Sequence, residues 1–118
     1  MAKKPASLVE KPWGHEERWA ITEKYLGKIL HIKAGHRLSR QYHEQKDESI
    51  YVLKGALVLE IGSEDDLVWH TLQQGESWRI KPGTIHRFCA VDIDCALIEV
   101  STPEINDVVR LEDDYSRI

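Results

Sequence analysis

Turn signals recur along this chain every 8–12 residues, the spacing of an all-β sandwich or barrel. Residues 50–53 are an apolar run that ends at Lys54-Gly55, and 56–61 follow at once and end at a Gly-Ser-Glu-Asp-Asp turn. Residues 67–72 stop before Gly75, and 77–80 stop at Lys81-Pro82-Gly83. Residues 87–91 and 95–100 flank a turn at Asp92, which makes Cys89 and Cys95 candidate cross-strand neighbours. No stretch before residue 101 holds an i, i+3, i+4, i+7 pattern beyond one turn, which excludes alternating βαβ units. Thr102-Pro103-Glu104 can open one helical turn, with Thr102 as N-cap. Residues 1–11 are poor in apolar surface and read as a flexible arm, 12–118 as a single domain, and the charged tail 108–118 as an irregular cover.

Charge narrows the function. Lys and Arg number 16 against 20 Asp and Glu, a net charge of −4, and this acidity speaks against nucleic acid or an anionic membrane as partner. The longest apolar runs, about four residues, fall far short of the roughly 20 of a transmembrane helix. No signal-peptide pattern follows Lys3 and Lys4, and two Cys are too few for a disulfide scaffold, so a cytoplasmic protein is expected.

The chemistry concentrates in two segments. Gln41 and His43 stand two apart, so on a strand they share a face, and Glu48 opens the next strand after a short loop. His86 arrives from a distant strand after Pro82-Gly83. Folded into a small barrel, these four side chains can converge on one divalent metal ion. Two imidazoles and a carboxylate suit Zn, Mn, Fe, Co or Ni, and four protein ligands leave positions open for substrate.

These segments resemble the two motifs of the cupins. Gly35, Gln41, His43, Glu48 and Gly55 follow the first motif, G-x5-H-x-H-x3-4-E-x6-G, with Gln41 in place of its first His. Gly75, Gly83 and His86 follow the second, G-x5-P-x-G-x2-H, with Lys81 in place of its Pro. Within the cupins the chain is most similar to type II phosphomannose isomerases, which form the C-terminal domain of bifunctional mannose-1-phosphate guanylyltransferase/isomerases. Pro12-Trp13-Gly14, Gln41, His86-Arg87 and the run from Asp107 to Arg117 carry that likeness. It departs after His43, where Glu44-Gln45-Lys46 replace the family's His-His-Arg.

The resemblance implies a small double-stranded β-helix (jelly-roll) barrel and a metal-dependent aldose–ketose isomerisation of a sugar phosphate such as mannose 6-phosphate, here without the guanylyltransferase part. The isomerisation needs a base that moves a proton between C1 and C2, for which Glu44, His36 and Lys81 are candidates. Arg40, Lys46 and Arg87 are candidate phosphate cations, with Arg37 and Lys81 nearby. On a regular strand Arg87 points away from His86, which makes an outer-face ion pair an equal expectation. A small metal-dependent dioxygenase is the alternative enzyme and would want an apolar pocket. A sugar-binding barrel without turnover is the non-catalytic reading. Trp13, Trp19, Trp69 and Trp78 are expected in the core or at a homodimer interface that covers edge strands. His15, His31 and His70 are read as ordinary side chains.

Overall fold

A computed structural model describes residues 3–117. In chain order the strands are β1 (Ser7–Lys11), β2 (Gly14–Ile21), β3 (Leu26–Ile32), β4 (Arg40–Tyr42), β5 (Glu48–Lys54), β6 (Ala56–Ile61), β7 (Val68–Gln73), β8 (Ser77–Ile80), β9 (His86–Cys89), β10 (Cys95–Ser101) and β11 (Val109–Glu112). They form a six-stranded sheet in the order β1-β2-β3-β10-β5-β8 and a five-stranded sheet in the order β11-β4-β9-β6-β7. All of the pairings are antiparallel, and no helix occurs among the described residues. The all-β expectation holds, and none of the described residues forms a helix long and apolar enough to cross a membrane.

Alternation along the strands builds the core. Leu30, Ile32, Ile50, Val52, Ile80 and Leu97 project from the six-stranded sheet onto Leu57, Leu59, Leu72 and Phe88 of the other, and all are buried. Removing such side chains from water supplies the main folding drive. The chain passes between the sheets at Gly55, which joins β5 to β6 with φ +79°. A Cβ there would lie 2.2 Å from the Asp94 carbonyl oxygen, so the crossing admits only glycine.

Four local expectations need correction. Ser7–Lys11 is not part of a flexible arm but pairs with β2, Val9 opposite Glu16. Residues 1 and 2 of that expected arm, and residue 118, lie outside the described residues. Thr102 starts no helical turn: its hydroxyl accepts the Asp47 N–H at 3.0 Å, and its own N–H donates to the Asp47 carbonyl at 3.0 Å. The tail is in part regular, since β11 adds to the edge of the five-stranded sheet. Cys89 and Cys95 are not neighbours, because the chain changes sheet at the turn between them; Cys89 stands opposite Val58 and Cys95 opposite Ile32. Both are buried free thiols, and burial pushes Cys89 up to about 12 and Cys95 up to about 11.

Gly55→Ala is expected to lower the unfolding free energy by about 1–3 kcal/mol in urea denaturation, because alanine strains the positive φ and meets the Asp94 carbonyl. Iodoacetamide at about pH 8 is expected to leave both thiols unlabelled in the folded chain and to label both in denaturant, read by intact mass.

Candidate metal centre

The first expected ligand, Gln41, stands directly opposite His86 where β4 pairs with β9, so both side chains enter the barrel. His43 lies just past the end of β4, and Glu48 is the first residue of β5. His86 Nε2 is 3.4 Å and His43 Nε2 3.7 Å from Glu48 Oε1. Gln41 Nε2 is 3.5 Å from His43 Nε2. His43, Glu48 and His86 are buried and form one cluster of possible metal ligands.

The partners on the far side of each imidazole fix which nitrogen faces the cluster. His43 Nδ1 donates to the Asp107 carbonyl, and His86 Nδ1 donates to the Thr84 carbonyl at 2.9 Å. That tautomer leaves both Nε2 lone pairs directed inward, the arrangement found around bound metals. His86 Nε2 is buried and makes no hydrogen bond among the described residues. An orphaned imidazole nitrogen beside a carboxylate is what a divalent cation would satisfy, so the donor set fits one metal ion. Ser39 Oγ donates to Gln41 Oε1 at 2.6 Å. Ligation through the amide oxygen needs a half-turn of that amide, after which Ser39 accepts instead of donating.

Burial opposes the charge on Glu48, but the facing imidazoles of His43 and His86, once protonated at Nε2, and the Lys46 ammonium override it and hold the carboxyl well below its usual range. Burial also works against His43 as a cation, and its contact with Glu48 more than offsets this and raises its pKa. The loop between His43 and Glu48 is shaped by Asp107, whose carboxylate accepts the N–H groups of Glu44, Gln45 and Lys46 at 3.1, 2.8 and 2.9 Å.

A polar cavity of about 240 Å³ opens beside the cluster, with Trp13, Leu30, Leu38 and Phe88 as its apolar wall. Lys46 Nζ bridges Glu48 and Glu99 at 3.1 and 3.0 Å. Lys28 Nζ is 3.4 Å from Glu16, which also takes Arg18 at 3.1 Å and Lys11 at 3.9 Å. Burial and the nearby Glu48 raise the pKa of Glu99. Burial disfavours the charged form of Lys46, yet Glu99 and Glu48 together raise its pKa. Arg110, opposite Gln41 across the β11–β4 pair, and Arg117 complete the polar wall.

The expected base and phosphate residues are placed differently. Glu44 and Lys81 are exposed on loops, and His36 stacks at 6.5 Å on Tyr115; none of the three lines the cavity. Arg40 and Arg87 are neighbours in sequence of the inward-facing Gln41 and His86, so strand alternation turns them to the outer face. There Arg40 pairs with Glu60 and Glu112 at 2.7 and 2.8 Å, and Arg87 with Glu112 and Asp114 at 3.3 and 3.0 Å. Lys46 does line the cavity, but as a buried bridge between two carboxylates and not as a free cation at the mouth. Sequence reasoning missed Glu16, Lys28, Glu99 and Arg110. A carboxylate inside the otherwise apolar run 95–100 was the available signal for Glu99.

Residues 28–101 match the cupin domain family model. Over 116 residues the chain is 35% identical to mannose-1-phosphate guanylyltransferase ManC of Salmonella typhimurium, covering 93% of this chain and 23% of that protein. It is 30% identical over 113 residues to xanthan biosynthesis protein XanB of Xanthomonas campestris, again with 92% of this chain and 23% of the relative covered. The chain therefore spans under a quarter of the length of these relatives. Among solved structures, the capsular polysaccharide assembling protein CapF of Staphylococcus aureus superposes with TM-score 0.80 at 18% identity, over 93% of this chain and 35% of that one. Oxalate decarboxylase of Bacillus subtilis superposes with TM-score 0.77 at 16% identity, over 90% of this chain and 30% of that one. With the two-sheet barrel, the inward His-Glu-His cluster and the family match all in place, this chain belongs to the cupin family.

Proposed function

We propose that this cupin is a metal-dependent isomerase that interconverts the aldose and ketose forms of a sugar phosphate of the mannose 6-phosphate type. One observation carries the reading. Arg110 lines the cavity with its Nε buried and without a hydrogen-bond partner among the described residues. The other cations of the wall face carboxylates: Lys11, Arg18 and Lys28 face Glu16, Lys46 faces Glu48 and Glu99, and Arg117 faces Asp113. An unsatisfied buried guanidinium nitrogen is costly, and a phosphate is the anion whose oxygens match its fork. The similarity to a mannose-1-phosphate guanylyltransferase supports a sugar phosphate as the substrate class. Six cations among the cavity residues weigh against the apolar pocket that the dioxygenase alternative requires.

Gln41, His43, Glu48 and His86 would hold the metal. When bound, the ion supplies a Lewis acid that polarises the carbonyl and hydroxyl oxygens of the sugar. Arg110 grips the phosphate and sets how far the sugar reaches toward the ligands. Trp13, Leu30 and Phe88 exclude water from one side of the cavity. Glu99 is the cavity carboxylate outside the ligand set whose pKa is raised, which suits a group that takes a proton and gives it back. Its carboxylate takes the proton from C2 and returns it to C1, while the hydroxyl proton of O2 passes to O1 to complete the ketose. Lys46 holds that carboxylate in place through its ammonium, 3.0 Å away.

The metal-loaded chain is expected to convert mannose 6-phosphate to fructose 6-phosphate in a coupled assay. Arg110→Met should raise KM about 10–100-fold with metal content unchanged, the loss of a charge-assisted contact. Glu99→Gln should lower kcat about 10²–10⁴-fold at similar KM. Sugar-phosphate binding without turnover in the loaded chain would overturn the isomerase and leave the binding barrel. Lys46→Met should cost about 3–5 kcal/mol of stability in urea, since it leaves Glu48 and Glu99 buried and uncompensated. Adding Glu99→Gln to that variant should restore part of the loss.

A further inference from the structure

Two histidines face each other near the start of the six-stranded sheet. His15 on β2 stands directly opposite His31 on β3, and their rings stack at 4.4 Å with 16° between planes. Glu17 lies two residues beyond His15 and so on the same face, with its Oε1 2.6 Å from His31 Nε2. One ligand atom from each of the three lies within 4.8 Å of the others, and all three side chains are half-buried and open to solvent. The register that aligns them is held by Gly14: a Cβ there would lie 1.9 Å from the His31 carbonyl oxygen, so β2 and β3 meet at this end on a glycine. Glu16, between His15 and Glu17, points to the opposite side of the strand and lines the cavity. No residue is shared with the inner cluster.

We propose that His15, Glu17 and His31 form a second divalent-cation site, on the outer face of the six-stranded sheet, for Zn²⁺, Ni²⁺ or Cu²⁺. Two imidazoles and a carboxylate are the donors these ions prefer, and three protein ligands leave a position for water. A proton joins His31 Nε2 to Glu17 Oε1 at 2.6 Å. The cation takes its place as that proton moves to His31 Nδ1, which leaves both imidazoles neutral and the carboxylate negative. Ligands on a tetrahedral ion stand about 3.3 Å apart, so the His31–Glu17 pair has to separate by under about 1 Å, and the two stacked rings have to tilt out of parallel until their in-plane lone pairs converge, both by side-chain rotation on an open face. Bound there, the ion clasps the β1–β2 hairpin to β3.

The test counts Zn²⁺ on the chelator-stripped full chain by equilibrium dialysis and elemental analysis. His31→Ala and Glu17→Ala should each bind one ion fewer than the parent, while His86→Ala keeps the outer ion. With Cu²⁺ as the probe, the electron paramagnetic spectrum of His86→Ala should show nitrogen hyperfine structure that disappears when His31→Ala is added. Circular dichroism identifies a misfolded variant, in which case the remaining outer variant decides. An unchanged ion count in the folded outer variants overturns the proposal, whatever the inner cluster binds.

Discussion

Successive side chains on a strand face opposite ways, and in this barrel that single rule sorts chemistry from scaffold. On β4 and β9 it sends Gln41 and His86 inward and Arg40 and Arg87 outward, one residue apart. On β2 it sends Glu16 to the cavity and His15 and Glu17 to the outer face. A slip of one residue in any of these pairings would exchange the inner and outer sets as a whole. The devices that fix register therefore matter as much as the ligands. Gly14 against the His31 carbonyl is one, and the outer lattice of Arg40 and Arg87 with Glu60, Glu112 and Asp114 is another.

The barrel interior carries charge at a density that an apolar core of this size would not choose for stability. Glu16, Glu48 and Glu99 are all buried, and each has a lysine ammonium within 3.4 Å. Such pairs recover little more than the cost of leaving water. Their value is placement: the cations beside Glu16 and Glu48 keep those carboxylates both fixed and ionised, and Lys46 fixes the position of Glu99. The apolar core on the closed side, from Ile50 and Val52 to Leu57, Leu59 and Leu97, supplies the stability that the polar side forgoes.

The strands were legible because turn residues and apolar runs both have short range: the expected run 56–61 is β6, and 77–80 is β8. The inward cluster was legible because Gln41, His43 and Glu48 lie within one strand and one loop, where local spacing decides geometry. What depended on distant pairing was not. The partner of Lys46 is Glu99, from a strand far along the chain, so a cation that looks free in the sequence is locked in the fold. Arg110 enters the site only because β11 joins β4, and the tail carries too little apolar periodicity to announce that strand. Ser7–Lys11 was missed for the same reason: an edge strand with one covered face needs few apolar residues.

Asp107 ties two things together that the sequence holds far apart. Its carbonyl sets the tautomer of His43, and its carboxylate gathers the three N–H groups of the loop that leads to Glu48. It lies beyond residue 101, outside the stretch that matches the cupin domain. The geometry of the inner cluster is therefore finished from outside the barrel motifs, by one residue of the tail that holds an imidazole with its main chain and a loop with its side chain.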